Sequence, residues 1–129
     1  MHDEKSGPEK AYFEFLEGGH FMLQRSASSG RFVFYPRVAE PGTGASDLEW
    51  VVPSGLGTVY SSVTIRRKPP EPDFNASIIE LDEGPRLLSR VEGIPPGEVR
   101  IGMRVRARIA RTDGRAVLVF DPASEGSGR

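Results

Sequence analysis

Arg66, Arg67 and Lys68 stand together at the mouth of a proline-rich stretch, KPPEPD (68–73). A guanidinium grips phosphate with a two-pronged fork, and an ammonium holds it as a point charge. Three such groups on a loop suit a phosphorylated ligand, nucleic acid or an acidic protein surface, because loops carried by a rigid scaffold often bind. Simple solvation of the loop is the competing reading. A second basic set, Arg86, Arg90, Arg100, Arg104, Arg106, Arg108, Arg111 and Arg115, is opposed within its own span only by Glu92, Glu98 and Asp113. Arg104, Arg106 and Arg108 alternate with Val105, Ala107 and Ile109. That spacing lines three guanidiniums along one strand face and turns the other toward a core. A solvated outer face accounts for these three.

Catalytic chemistry finds no foothold. A Gly-x-Ser-x-Gly elbow is absent, and neither His2 nor His20 has a Ser or Asp partner at a recognised spacing. Gly55-Leu-Gly57 lacks the third glycine and following helix of a dinucleotide loop, so it reads as a turn into a strand. Asp82-Glu83 is an adjacent acid pair in a tight hairpin, where carboxylates are usually solvated. No catalytic residue is assigned. With Cys 0, disulfides and thiolate metal sites are excluded. A ligand set drawn from His2, Glu17, His20 and Glu40 has no recognised spacing, so no metal is assigned either.

The elements that must position these residues are short. Gly 15 and Pro 11 in 129 residues point to many turns. SGPEKAYFEFLEGG (6–19) carries a helix, with Ser6 and Glu9 spaced as a capping box, Pro8 in the first turn and Gly18-Gly19 as the stop. Tyr12, Phe13 and Leu16 share one face by their spacing, with Phe15 at its edge, and docking of this helix on its own domain is expected. Strands follow at 20–25, 31–35, 47–52, 56–67, 74–82, 86–91, 101–111 and 115–121. In the 56–67 strand Val59, Ser61, Val63 and Ile65 are expected on one face and Tyr60, Ser62 and Thr64 on the other. Asp113-Gly114 between the last two strands is a strong hairpin signal. Five strands from residue 56 onward suit a small barrel of the OB type better than a sandwich. The fold class is therefore mainly β, with an N-terminal helix, a small ribbon and a C-terminal five-stranded OB-fold barrel.

The ribbon is the stretch QRSASSGRFVFYPRVAEPGTG (24–44), in which two turn-forming clusters flank an apolar run. That is the layout of a metal ribbon without its cysteines. Turn chemistry at Gly30, Gly42 and Gly44, serine hydroxyls capping amides, and packing by Phe32, Phe34 and Trp50 are the means left to hold it.

"EWVVPSGLGTVYSSVTIRR", "IIELDEGPRLLSRVEG" and "VRIGMRVRARI" resemble the OB-fold acyl-CoA-associated proteins, in which an N-terminal helix and a rubredoxin-like zinc ribbon precede an OB barrel. The likeness runs over roughly residues 10–122. It is carried by Gly-x-Gly-Thr at 55–58, Leu-Asp-Glu-Gly at 81–84 and Ile-Gly-Met at 101–103. It implies a tail and helix over 1–19, a degenerate ribbon over 20–53, an OB domain over 54–122 and a tail over 123–129. The family's two Cys-x-x-Cys pairs would fall on Ser26 and Ser29 and on Glu40 and Thr43, a set that cannot hold zinc, so no cofactor is expected.

The resemblance further implies a non-catalytic accessory subunit in lipid or steroid metabolism. Such a subunit binds a thiolase-like, aldolase-like or hydratase-like enzyme and helps form its acyl-CoA site, with Arg66, Arg67, Lys68 and Arg86 as contacts to the coenzyme A thioester or the partner. A homodimer stays open. The alternative is an OB-fold binder of single-stranded nucleic acid, using Tyr60 and Phe74 as stacking platforms. The net charge of −1 and the concentration of aromatics before residue 51 speak against it. No apolar run reaches the roughly 20 residues of a spanning helix and the N-terminus is not a signal peptide, so a cytoplasmic protein with no membrane partner is expected.

Overall fold

The computed structural model describes residues 7–37, 44 and 46–123. The chain divides into two compact units. One comprises 1–54 with the short segments 83–85 and 109–117, and the other comprises 55–82, 86–108 and 118–129.

The first unit opens with α1 (Pro8–Glu17). Pro8 sits where a missing N–H costs nothing. Gly7, not Ser6, occupies the cap position and no side chain caps it, so the expected capping box is not the device used; Ser6 itself lies outside the described residues. At the other end the Gly19 N–H donates to the Leu16 carbonyl and the His20 N–H to that of Phe15, which closes the last turn. Tyr12 and Leu16 form the buried face. The Phe15 ring packs edge-on against Trp50 at 5.2 Å, so Trp50 covers the helix. Phe13, expected on the buried face, is half exposed, because the helix rests on its Tyr12–Phe15–Leu16 side.

Beneath the helix lies a three-stranded antiparallel sheet, β1 (Leu23–Ser26), β2 (Phe32–Val33) and β3 (Leu48–Val51), in the order β2-β1-β3. Leu23 and Val33 enter the core of this unit.

The five remaining strands are β4 (Leu56–Ile65), β5 (Phe74–Leu81), β6 (Arg86–Ser89), β7 (Arg104–Thr112) and β8 (Arg115–Pro122). They form one sheet in the order β6-β5-β4-β7-β8. Asp113 (φ 53°) and Gly114 (φ 79°) make the tight β7–β8 turn that their types favour. The sheet closes on itself where Val91 pairs in parallel with Phe120. There the Phe120 N–H donates to the Arg90 carbonyl and the Glu92 N–H to that of Phe120. Inside lie Val59, Ile79, Leu81, Leu87, Val91, Val105, Val119 and Phe120.

β4 departs from simple alternation. Val59 pairs with Ile79, yet Ser61 pairs with Ile78, so Tyr60 is an extra residue bulged out of the ladder. A bulge reverses the faces beyond it. Ser62 now turns toward buried Ser77, whose hydroxyl lies 3.0 Å from its own, while Val63 and Ile65 turn outward, so they do not share a face with buried Val59 as expected.

Candidate functional site

The reversal creates the most conspicuous feature of the barrel surface. Val63 is 61% exposed and sits in register with Ala76; Ile65 is in register with Phe74. Leu88, 65% exposed, pairs with Ile78, which in turn pairs with Ser61. β5 alternates strictly, with Asn75, Ser77, Ile79 and Leu81 buried and Phe74, Ala76, Ile78 and Glu80 on the outer side. Three strands thus present a contiguous apolar outer face, Val63, Ile65, Ala76, Ile78 and Leu88, with Tyr60 beside it. Surfaces of this kind mark contact sites.

The predicted basic residues border this face at two separate ends. Arg66 lies 3.6 Å from Asp73, and Arg67 lies 3.9 Å from Glu71 while its backbone N–H donates to Asp73. The Arg67 guanidinium also lies over the Phe74 ring at 4.4 Å. The proline loop is therefore braced by its own carboxylates. Lys68 makes no ion pair among the described residues. Arg86 is elsewhere: it pairs with Glu80 at 3.4 Å and covers the Tyr60 ring at 3.8 Å. Phe74 and Glu80 are six residues apart along β5, roughly 20 Å in a strand. Arg66, Arg67 and Lys68 thus form one cluster, and Arg86 does not join it. Tyr60 and Phe74, the stacking platforms a nucleic-acid binder would need, each already carry a guanidinium on their faces.

The other arginines of the set are mostly spoken for. Arg104 grips Asp82 with both prongs at 2.8 Å and also reaches the Thr58 hydroxyl, and its guanidinium holds the Asp82 carboxyl below the usual range. Arg108 bonds Asp121 and Glu92 together, which raises its already high pKa. Arg111 meets Glu17, whose other oxygen accepts the Ala116 N–H; that amide and Arg111 lower the Glu17 pKa. Asp82 is therefore the ion-pair partner of Arg104, and Glu83 accepts the Ser54 N–H. Arg106 is exposed and makes no ion pair among the described residues.

The first knuckle of the ribbon shows what stands where ligands would be. Ser26 is fully buried and its hydroxyl donates to Asp47 at 3.0 Å. The other Asp47 oxygen accepts from the Ser28 N–H at 2.8 Å and from the Ser28 hydroxyl. The Ser29 N–H donates back to the Ser26 hydroxyl at 3.3 Å. Hydroxyls are poor zinc ligands; of the two described positions, the Ser26 hydroxyl is taken by Asp47 and the Ser29 hydroxyl accepts the Arg31 N–H at 3.1 Å, so these two do not fit the ion. Glu40 and Thr43, the other two positions, lie outside the described residues. Gln24, 5% exposed, bonds both backbone groups of Arg37, its amide donating at 2.7 Å and its oxygen accepting at 2.6 Å. Neither Asp47 nor Gln24 could be singled out from spacing, since each meets its partners through a fold not visible in one strand.

Removing the Ser26 hydroxyl strands a buried network, so Ser26→Ala is expected to lower stability by about 1 kcal/mol in urea unfolding. The Ser28 hydroxyl first, then the Ser26 hydroxyl and Ser28 amide, hold Asp47 below the usual carboxylate range. A carboxylate with a depressed folded pKa stabilises fully above its unfolded value, near pH 4, and loses that contribution as pH falls through the lower folded value. Unfolding midpoints should therefore drop between pH 5 and pH 2, and Asp47→Asn should shrink the drop. An unchanged profile would mean the knuckle is held otherwise.

The family described as ChsH2, C-terminal OB-fold domain, matches residues 50–110. The chain is 32% identical over 117 residues to a probable enoyl-CoA hydratase alpha subunit of Thermomonospora curvata, covering 87% of this chain and 36% of that protein. It is 42% identical over 79 residues to the 3-oxo-4,17-pregnadiene-20-carboxyl-CoA hydratase alpha subunit of Mycobacterium tuberculosis, covering 58% of this chain and 25% of that one. The chain thus spans about a third or less of these curated relatives. Among solved structures, a chain of the Ltp2-ChsH2(DUF35) aldolase superposes with a TM-score of 0.80 at 27% identity, covering 94% of this chain and 98% of that chain. A DUF35-family protein of unknown function from Sulfolobus solfataricus shares the fold, with a TM-score of 0.66 at 19% identity over 93% of this chain and 89% of that one.

Proposed function

Taking as premise that this chain belongs, through residues 50–110, to the OB-fold acyl-CoA-associated family typified by the ChsH2 C-terminal domain, we infer that the protein is a non-catalytic accessory subunit of an acyl-CoA enzyme. The observation that carries this reading is the near end-to-end likeness to a chain of an aldolase complex, with 98% of that chain covered. Two named hydratase alpha subunits extend the same direction. The partner is a thiolase-like, aldolase-like or hydratase-like subunit, and it supplies the reacting groups.

In this reading the outer face of β4, β5 and β6 is the contact surface. Burying Val63, Ile78 and Leu88 against a partner removes the apolar area that the bulge at Tyr60 exposes. Arg66, Arg67 and Lys68 lie on the loop at one end of that face, where cations favour the phosphates of a coenzyme A thioester. The carboxylates of Asp73 and Glu71 pair with the two arginines until such a ligand competes for them. The ribbon serves as scaffold, its first knuckle held by Asp47 in place of an ion.

A pull-down from the native host tests the reading. The expected result is co-purification of an acyl-CoA enzyme subunit, and Leu88→Glu with Val63→Glu should reduce recovery at least about tenfold, a loss typical of a charge introduced into an apolar contact. Both residues are exposed, so the variants should stay folded. Recovery of nucleic acid or ribosomal proteins alone would overturn the reading. Coenzyme A titrated into the recovered complex, with and without Lys68→Glu, reports on the loop.

A further inference from the structure

A second feature lies within the N-terminal unit. Glu9, Tyr12, Phe13, Phe34, Tyr35 and Pro36 line a cleft of about 190 Å³. Four aromatic rings meet there. Tyr12 stands edge-on to Phe13 at 5.2 Å and to Phe34 at 5.5 Å, and Phe34 lies 4.5 Å from Tyr35. Phe13 and Tyr35 are 50% and 61% exposed, although each is large and apolar enough to gain from burial. Tyr12 is 5% exposed, and burial followed by the nearby Tyr35 pushes its phenol well above the usual range, so it stays neutral.

Among the described residues the cleft has one charged group. Glu9 makes no ion pair among the described residues, because the neighbouring lysine, Lys10, turns to Glu14 at 3.8 Å. Aromatic faces attract cations through their quadrupole, and a carboxylate at the rim adds to that attraction while repelling anions. The nearby helix N-terminus opposes a cation with about half a unit charge, which the full charge of Glu9 outweighs. Size narrows the ligand further. Pockets for drug-sized molecules begin at about 300 Å³, so this one suits a single side chain and not a nucleotide.

We propose that the aromatic cleft beside Glu9 is a receptor for one cationic side chain, a lysine or arginine presented by the partner subunit. The source of the cation rests on the accessory-subunit reading above, whereas the selectivity of the cleft follows from its own lining. Four rings and one carboxylate make a cage that a basic side chain enters head first, with its aliphatic stem against Pro36 and Phe13.

The test has two arms. In the first, the isolated full-length protein is titrated with tetramethylammonium and with tert-butanol, a neutral molecule of similar shape, while ring proton resonances are followed. Tetramethylammonium should shift the Phe13, Phe34 and Tyr35 resonances saturably, with a dissociation constant on the order of millimolar. Tert-butanol should bind several-fold more weakly. Glu9→Gln should weaken tetramethylammonium binding about fivefold and Phe13→Leu about threefold, effects expected of partly solvated charge and cation–ring contacts. Equal binding of the neutral molecule, or no shift with the cation, overturns the proposal. In the second arm, Glu9→Gln with Phe13→Leu should recover less of the partner subunit from the host than the unaltered chain does. Undiminished recovery overturns the assignment of the cation to the partner. Failure of the unaltered chain to recover any acyl-CoA enzyme sinks the accessory reading instead, and the first arm still decides what the cleft selects.

Discussion

Asn75→Ala should cost about 4 kcal/mol of stability, the largest effect expected of any single polar residue in this protein. Asn75 is 3% exposed and sits on β5 beneath the seam where the sheet closes. Its amide donates to the Val91 carbonyl at 2.6 Å, and its oxygen accepts the Val91 N–H at 2.9 Å and the Ser77 hydroxyl at 2.9 Å. The side chain thus stands in for a strand at the one place where Val91 must also pair with Phe120. Alanine would leave the buried Val91 N–H and carbonyl without these partners, each at a cost of about 1–3 kcal/mol, and would leave the Ser77 hydroxyl with Ser62 alone.

Out of a total stability of about 5–15 kcal/mol, this is a large share. The urea midpoint should fall with an unchanged slope, and the thermal midpoint should drop on the order of 10 °C. Asn75→Asp sharpens the test. A carboxylate there faces the Val91 carbonyl, so its folded pKa is raised above its unfolded one. A raised acid pKa means the native state holds the extra proton, so the variant should be least stable above pH 5 and recover partly below pH 4, where an acid proton can replace the lost amide donor. A variant as stable as the parent at pH 7 would show that closure of the barrel does not depend on this residue.

Gly57→Ala is expected to cost about 3 kcal/mol, the upper end of overpacking penalties. Gly57 is buried on β4, where that strand is flanked by Leu81 on β5 and Val105 on β7. A methyl group there would stand 2.8 Å from the Glu80 carbonyl oxygen and 2.9 Å from Ile79 Cγ2. A flexible side-chain end could move aside. A strand carbonyl cannot move without disturbing the pairing of Thr58 with Glu80. Gly97 supplies the control, because nothing lies within 4 Å of a methyl group placed there. Gly97→Ala should change stability by no more than about 0.5 kcal/mol. Equal effects at the two glycines would show that close backbone approach is not what Gly57 provides.

The elements of the fold could be read because their signals are local. Pro8 and Gly18-Gly19 bound the helix, β5 alternates without interruption, and Asp113-Gly114 turns the last hairpin as its residue types demand. The absence of cysteine settled that thiolates hold nothing here. The misreadings share one cause. Val63 and Ile65 were expected on the same face as Val59, yet one bulged residue, Tyr60, turns them to the other, and a bulge is a property of two paired strands. Phe13 has the spacing of a core residue, and the direction in which the helix rests leaves it half exposed.

The candidate site was legible only as composition. Arg66, Arg67 and Lys68 form a cluster because they are consecutive, whereas Arg86, on β6, pairs with Glu80 near the far end of β5. Arg104 and Arg108 looked like free charge and are bound to Asp82 and Asp121. Asp47 reaches Ser26 across 21 positions, and Asn75 reaches Val91 across 16. By itself the sequence determined the order of elements, the five-stranded barrel and the loss of the ribbon's thiolates, since periodicity, turn chemistry and residue identity act over a few neighbours. Which apolar side chains face outward, which charges are already paired and what closes the barrel were decided by tertiary structure, because register and long-range hydrogen bonds exist only once distant segments meet.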